Sequence, residues 1–229
     1  MATERYEVKG NAILFSEMTP PDGEEKVFND WYDNHHSPSH VQGVPGFVSA
    51  MRYQSGIGPH YLAIYELSGA DALDHEEYKK RKLTPDSPTY EMLKSVSGFT
   101  RYIATEAFHK VRDDVPIMPL DAPIVLCVFF SVPLEQRGNF EDWYDTEHIP
   151  MLFDCPDWLM ARRFDIVAWD PEPYTHVILH YLNDESALDS EALQRSRETP
   201  WRQSLAAQPW FTPHFVTYRR RNKRFLKSG

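Results

Sequence analysis

The stretch Phe28-Asn29-Asp30-Trp31-Tyr32-Asp33-Asn34-His35-His36-Ser37-Pro38 returns at an offset of 112 as Phe140-Glu141-Asp142-Trp143-Tyr144-Asp145-Thr146-Glu147-His148-Ile149-Pro150. Phe, Asp, Trp, Tyr, Asp, His and Pro recur in register, which reads as an internal duplication. The match runs on through Pro45-Gly46-Phe47 and Pro156-Asp157-Trp158, then Arg52-Tyr53 and Arg163-Phe164. Residues 61–67 pair with 176–182, Ala72-Leu73-Asp74 with Ala187-Leu188-Asp189, and Thr84-Pro85 with Thr199-Pro200. The joint falls near Asp113-Asp114-Val115-Pro116-Ile117-Met118-Pro119, whose Pro and Asp content suits a linker.

Within each copy the pattern reads β-α-β-β-α-β. First strands are expected at 12–18 and 123–131, and first helices at about 23–36 and 134–151. Phe28, Trp31 and His35 recur at helical spacing, and Pro38 and Pro150 are expected to end the helices. Second strands are expected at 47–54 and 158–169, third strands at 61–67 and 176–182, and last strands at 100–109 and 211–219. A helix broken near each Thr-Pro pair precedes each last strand. That order is the ferredoxin-like motif. A lone sheet with helices on one face leaves the other face bare, and two such sheets can cover each other. The expected fold class is α+β: two tandem ferredoxin-like repeats, 1–112 and 120–221, whose antiparallel sheets pack into one intramolecular barrel, followed by a basic tail at 222–229.

A formal net charge of −10 argues against a nucleic-acid partner. The one basic run, Arg219-Arg220-Arg221-Asn222-Lys223-Arg224, reads as a solvated chain end. Cys127 and Cys155 show no metal-binding spacing, and Cys127 sits in an apolar run as a small core residue. Residues 1–7 lack the apolar stretch of a leader, and no run of about 20 apolar residues could span a membrane. A cytoplasmic protein is expected.

Side chains alternate faces along a strand. On the third strands Leu62, Ile64 and Glu66 oppose Tyr61, Ala63 and Tyr65, and Val177, Leu179 and Tyr181 oppose His176, Ile178 and His180. The more apolar face is expected under the helices, which turns Tyr61, Tyr65, His176 and His180 towards the space between the sheets. Imidazoles and phenols in such a space suit proton transfer, although core residues with satisfied hydrogen bonds would look the same. His36 and His148 precede the two prolines, either as helix-end residues or as general acid/base groups oriented by Asp33 and Asp145. Tyr32 and Tyr144 on the same helices stand as substrate contacts. Arg52 and Arg163 either anchor a substrate carboxylate or lie exposed on the sheet.

The motifs Trp31-Tyr32-Asp33…His36…Pro38, Pro45-Gly46-Phe47 and Trp143-Tyr144-Asp145…His148…Pro150 resemble those of the dimeric α/β-barrel superfamily, and within it the EthD-like branch. The resemblance covers nearly the whole chain, twice, and is more specific for fold than for reaction. It implies a hydrophobic cleft between sheet and helices. It also implies a catalytic role for the His at the end of the first helix, here His36 and His148. The repeat carrying His148, His176 and His180 is the expected active half.

The function expected is a cofactor-independent enzyme using His/Tyr acid–base chemistry on a small oxygenated ring, a phenolic acid, lactone or polyketide-like compound. Its outcome would be lyase-type (decarboxylation, or cyclisation with loss of water) or isomerisation. A cofactor-free monooxygenase, a haem or metal protein and a non-catalytic ligand carrier are the alternatives. No cofactor and no metal are expected, and a homodimer through the outer faces stays open.

Overall fold

The structure is a computed structural model and describes residues 9–85, 87–113, 115 and 118–227. Residues 1–7, read above as free of an apolar leader, and Asp114, Pro116 and Ile117 of the expected joint lie outside the described residues. Two compact units are present. One comprises Met1–Thr105, Val167–Pro171 and Arg221–Gly229; the other comprises Glu106–Ile166 and Glu172–Arg220.

The first unit contains β1 (Ala12–Thr19), α1 (Glu25–Trp31), α2 (Ser37–Gly43), β2 (Phe47–Ser55), β3 (Tyr61–Leu67), α3 (Glu76–Leu83), α4 (Pro88–Ser95) and residues 97–105 of β4 (Ser97–Val111). The strands pair antiparallel in the order β4-β1-β3-β2. The second unit repeats the plan. It contains β5 (Ile124–Phe130), α5 (Arg137–Trp143), α6 (Ile149–Leu152), residues 158–166 of β6 (Trp158–Asp170), β7 (His176–Leu182), α7 (Glu191–Arg197), α8 (Pro200–Ala206) and β8 (His214–Arg220). Its order is β8-β5-β7-β6. Each is the α+β ferredoxin-like arrangement that the repeat pattern predicts.

The prolines do not end the first helices. Between α1 and α2, and again between α5 and α6, lies one π-helical turn, Tyr32–His36 and Tyr144–His148. Ser37 N–H donates to Tyr32 O, and Ile149 N–H donates to Tyr144 O, each five residues back. A proline in an α-helix loses its N–H bond and crowds the carbonyl four residues earlier. Widening the preceding turn by one residue relieves that conflict, so the chain continues as helix with Pro38 and Pro150 in the first turn of α2 and α6. Such π-turns are rare and concentrate at functional positions.

The facing expected for the third strands is reversed. Tyr61, Ala63 and Tyr65 pack in one buried cluster with Phe28, Trp31, Tyr32 and Val41, so they lie under α1 and α2. Ile178 packs with Phe140, Trp143 and Tyr144, and the rings of His176 and His180 lie 5.2 and 6.1 Å from Phe140 and Tyr144. The tyrosines and histidines therefore face the helices. Helix-borne aromatic rings and hydrogen-bonding groups meet them there, which apolar counting along the strand did not capture.

The basic run also departs from a solvated tail. Arg221 N–H donates to Arg52 O, Asn222 Nδ2 donates to Asp33 Oδ1 at 2.9 Å, and Arg224 Nη1 donates to Ser49 Oγ at 3.1 Å. Phe225–Leu226 forms a last strand, β9, antiparallel to β2. No helix among the described residues is long and apolar enough to cross a membrane.

Candidate active site

Each unit holds a cavity between its sheet and its helices, and the two differ in size. That of the second unit is about 230 Å³, while that of the first is about 40 Å³. The repeat alignment explains the difference. In the first unit the cavity is lined by His40 and Tyr78, whose rings sit 5.9 Å apart. The matching positions of the second unit are Leu152 and Leu193, which leave the space open. A volume of about 230 Å³ equals about eight water volumes at ~30 Å³ each. It suits a small ring compound.

Apolar walls come from Leu126, Val128 and Phe130 on β5, Phe215 on β8, and Phe211. The polar groups are Tyr144 and His148 from the π-turn, His180 from β7, Thr217 from β8, and Arg197 and Arg202 from α7 and α8. Thr199 caps α8 by accepting from Arg202 N–H, and Pro200 occupies its first turn. That break sets Arg197 at the end of one helix and Arg202 at the start of the next.

Hydrogen bonding decides the proton positions. Trp158 Nε1–H, which can only donate, points at His180 Nδ1 at 3.0 Å. His180 is buried, and desolvation, followed by the neighbouring His148, pushes its pKa down to about 3. The neutral ring with an accepting Nδ1 carries its proton on Nε2. That nitrogen lies 3.1 Å from Tyr144 Oη and donates to it. Tyr144 thus keeps its own hydroxyl proton for an acceptor in the cavity. Burial raises its pKa far above that of a free phenol, so it stays protonated. His180, expected as an acid or base, has both ring nitrogens committed to Trp158 and Tyr144.

His148 differs. Its Nδ1 is buried without a hydrogen-bond partner among the described residues, so the imidazole has unspent capacity. Desolvation holds its pKa down to about 3; the backbone of Ser196 opposes the shift, and Arg202 and Arg197 add to it. Trp143 and Tyr144 flank the ring, with centroids 4.8 and 4.9 Å away. The result is a buried, neutral imidazole beside a phenol.

The remaining expected residues fall elsewhere. His176 lines neither cavity: its Nε2 contacts Glu141 Oε1 at 3.1 Å and its Nδ1 contacts Thr175 Oγ1 at 2.8 Å. Tyr61 bonds Asn29 Nδ2 and Glu25, away from both cavities. Tyr32, His36 and Tyr65 line the small cavity of the first unit, where Ser37 Oγ lies 3.3 Å from Tyr65 Oη. Burial drives the His36 pKa well below and the Tyr65 pKa well above their ordinary values, and raises that of Tyr32 to about 12. Neither cavity holds the pairing of His148 or His180 with Tyr61 or Tyr65.

Arg52 and Arg163 are neither exposed nor ligand-facing. Arg52 pairs with Asp33 and donates to Asn29 Oδ1 at 2.9 Å, with its guanidinium 4.3 Å from the Tyr32 ring centroid. Arg163 forks onto Asp145 at 3.0 and 2.7 Å. The recurring Asp therefore orients the strand Arg rather than the helix-end His. Buried arginines require such partners. Glu141, Asp165 and His176 place ligand atoms within 4.8 Å of one another. The Arg163 guanidinium sits 3.8 and 3.3 Å from the two carboxylates while forking onto Asp145, so these groups already form one ion-pair network around a shared cation.

Sequence reasoning missed Arg197, Arg202 and Trp158. A signal existed for the first: the repeat register sets Lys82 opposite Arg197, and both line a cavity. No family model matches the sequence, and no curated protein matches it. Solved structures do. An anthrone oxidase-like protein superposes with TM-score 0.64 at 14% identity, covering 94% of both chains. A protein provisionally assigned as a monooxygenase, from Lactobacillus acidophilus, gives 0.59 at 9% identity over 95% of this chain and 97% of its own. Another of that description, from Fusobacterium nucleatum, gives 0.57 at 10% over 96% of each. The chain has the dimeric α/β-barrel fold, and at these identities the likeness concerns the fold alone.

Proposed function

We propose that this protein is an acid–base enzyme that removes a proton from a small, flat, oxygenated ring substrate in the cavity of the second unit. His148 is the base. Tyr144 donates its hydroxyl proton to the oxygen on which negative charge develops, and His180 with Trp158 holds Tyr144 in that orientation. The observation carrying the proposal is the Trp158–His180–Tyr144 chain, which leaves a phenol donor aimed at an apolar cavity beside an unprotonated imidazole.

Desolvation makes the empty-site imidazole a weak base. An enolate or phenolate forming in contact with it reverses that penalty, because opposite charges in a dry site favour the protonated ring. The lyase-type completions are decarboxylation and cyclisation with loss of water; isomerisation returns the proton to another carbon. These steps need only groups that the chain supplies. The likeness to an anthrone oxidase-like protein favours a second reading. In it the carbanion passes its electrons to molecular oxygen, one oxygen atom enters the ring carbon as a carbonyl, and the other leaves as water.

The test is turnover of a panel of phenolic acids, lactones and anthrone-type ketones by the purified chain in an oxygen electrode, with His148→Ala and Tyr144→Phe alongside. Each variant is expected to lose about a hundredfold or more in kcat. Oxygen uptake matching product separates the second reading from the first. Unchanged turnover in both variants rules out the site. Ligand binding without any turnover, retained in the double variant His148→Ala/His180→Ala, identifies a carrier.

A further inference from the structure

Arg197 and Arg202 are set apart from the other arginines of the second unit. Those others donate to an oxygen of the protein: Arg163 to Asp145, Arg195 to Asp154, Arg112 to the carbonyls of Trp158 and Cys155. Among the described residues, neither Arg197 nor Arg202 has a carboxylate or carbonyl partner for its side chain. This is notable in a chain with 34 acidic and 24 basic residues. Both line the cavity, and the Arg202 guanidinium lies 4.6 Å from the centroid of Phe211, another wall residue. Arg197 is exposed and Arg202 half-buried, and two cations that share one cavity wall without a counter-charge favour an anion between them.

We infer that Arg197 and Arg202 form an anion clamp, so that the substrates of this site are aromatic or polyketide-like rings bearing a carboxylate. A guanidinium fork matches the two oxygens of a carboxylate, and the half-buried Arg202 beside Phe211 is the less hydrated of the two. The stack of Arg202 on Phe211 presets one fork. The clamp rests on the reading of this cavity as the substrate site and narrows it. It also connects to the chemistry. Arg197 lowers the pKa of Tyr144 against the effect of burial, and both arginines lower that of His148, so their charge reaches the groups that would act on the ring. In the first unit Lys82 and Arg101 line the small cavity, but His40 and Tyr78 occupy the room a ring would need.

Calorimetric titration of the full chain with 2-hydroxybenzoate and with its neutral isostere 2-hydroxybenzamide tests the clamp. The carboxylate is expected to bind about tenfold or more tighter. In Arg197→Gln/Arg202→Gln that preference is expected to fall within about threefold, with amide binding retained. Arg197→Lys/Arg202→Lys, which keeps charge but removes the forks, should recover only part of it. Equal binding of acid and amide by the wild-type chain overturns the inference without recourse to any variant. Phenyl phosphate binding as tightly as 2-hydroxybenzoate also overturns it, in favour of a general anion site. Carboxylate preference without His148-dependent turnover upholds the clamp and removes the enzymatic reading. His148-dependent turnover with no carboxylate preference does the reverse.

Discussion

Lowering the pH from 8 to 5 should destabilise the fold through its buried histidines well before the carboxylates titrate. His36, His40, His148 and His180 are all buried, and desolvation is the leading cause of depressed pKa in each: about 4 for His40, about 3 for His148 and His180, and well below the ordinary value for His36. A free imidazole titrates near 6.5. Below that pH the unfolded chain binds protons that the folded chain refuses, so stability falls as pH drops from about 7 towards the folded values and is fully present above about 7. At pH 5 the unfolded ring has gained about 1.5 pH units of protonation free energy, which at ~1.36 kcal/mol per unit is about 2 kcal/mol per histidine. His40, His148 and His180 together amount to about 6 kcal/mol, with His36 acting in the same direction, against a total of about 5–15 kcal/mol for a typical domain. The assay is urea unfolding followed by tryptophan fluorescence at pH 8, 7, 6 and 5. The midpoint should fall steeply between pH 6.5 and 5. His148→Gln and His180→Gln, although less stable at pH 8, should each flatten that fall by about 2 kcal/mol. A midpoint constant from pH 8 to 5 would refute the claim that these rings are held neutral by burial.

Further outcomes follow from the same geometry. Leu152→His/Leu193→Tyr, which copies the His40 and Tyr78 filling of the first unit, should abolish binding of 2-hydroxybenzoate in calorimetry while thermal melting stays cooperative. Trp158→Phe removes the donor to His180 Nδ1. It should cost about 1–3 kcal/mol in unfolding free energy, and it should lower kcat with little change in KM by loosening Tyr144. Arg163→Met leaves Asp145 without its fork and should cost about 3 kcal/mol or more in urea titration. Asp145→Asn should cost less, because Arg163 keeps Glu141 and Asp165 at 3.8 and 3.3 Å.

Much of the fold is readable in the chain because duplication supplies a second copy of every signal. The Phe-x-Asp-Trp-Tyr-Asp helix and the strand that ends in Leu67 or Leu182 confirm each other across the repeat. His148 and Tyr144 could be placed near a cleft by motif alone. The third-strand facing could not. Tyr61, Tyr65, His176 and His180 look polar in a periodicity count, yet each is buried against helix-borne rings or partners that only the fold brings near. The π-turns were hidden because a proline normally marks a helix end, and the local widening that keeps Pro38 and Pro150 within helix depends on five-residue bonds rather than on composition. Arg197 is marked in the sequence only by its repeat register with Lys82, and its place on the cavity wall depends on the break between α7 and α8 at Thr199-Pro200. The imbalance between the cavities follows from His40 and Tyr78 against Leu152 and Leu193, a difference of volume that pattern reading does not weigh.

A crystal structure of the chain grown with 2-hydroxybenzoate tests the central assignment most directly. Ring density should lie between the sheet and helices of the second unit, with an oxygen within about 3 Å of Tyr144 Oη and the ring beside His148 and Phe211. Density for the ring at His36 and Tyr65 of the first unit, or at the His176–Glu141 pair, with the second-unit cavity left to solvent, would contradict the account.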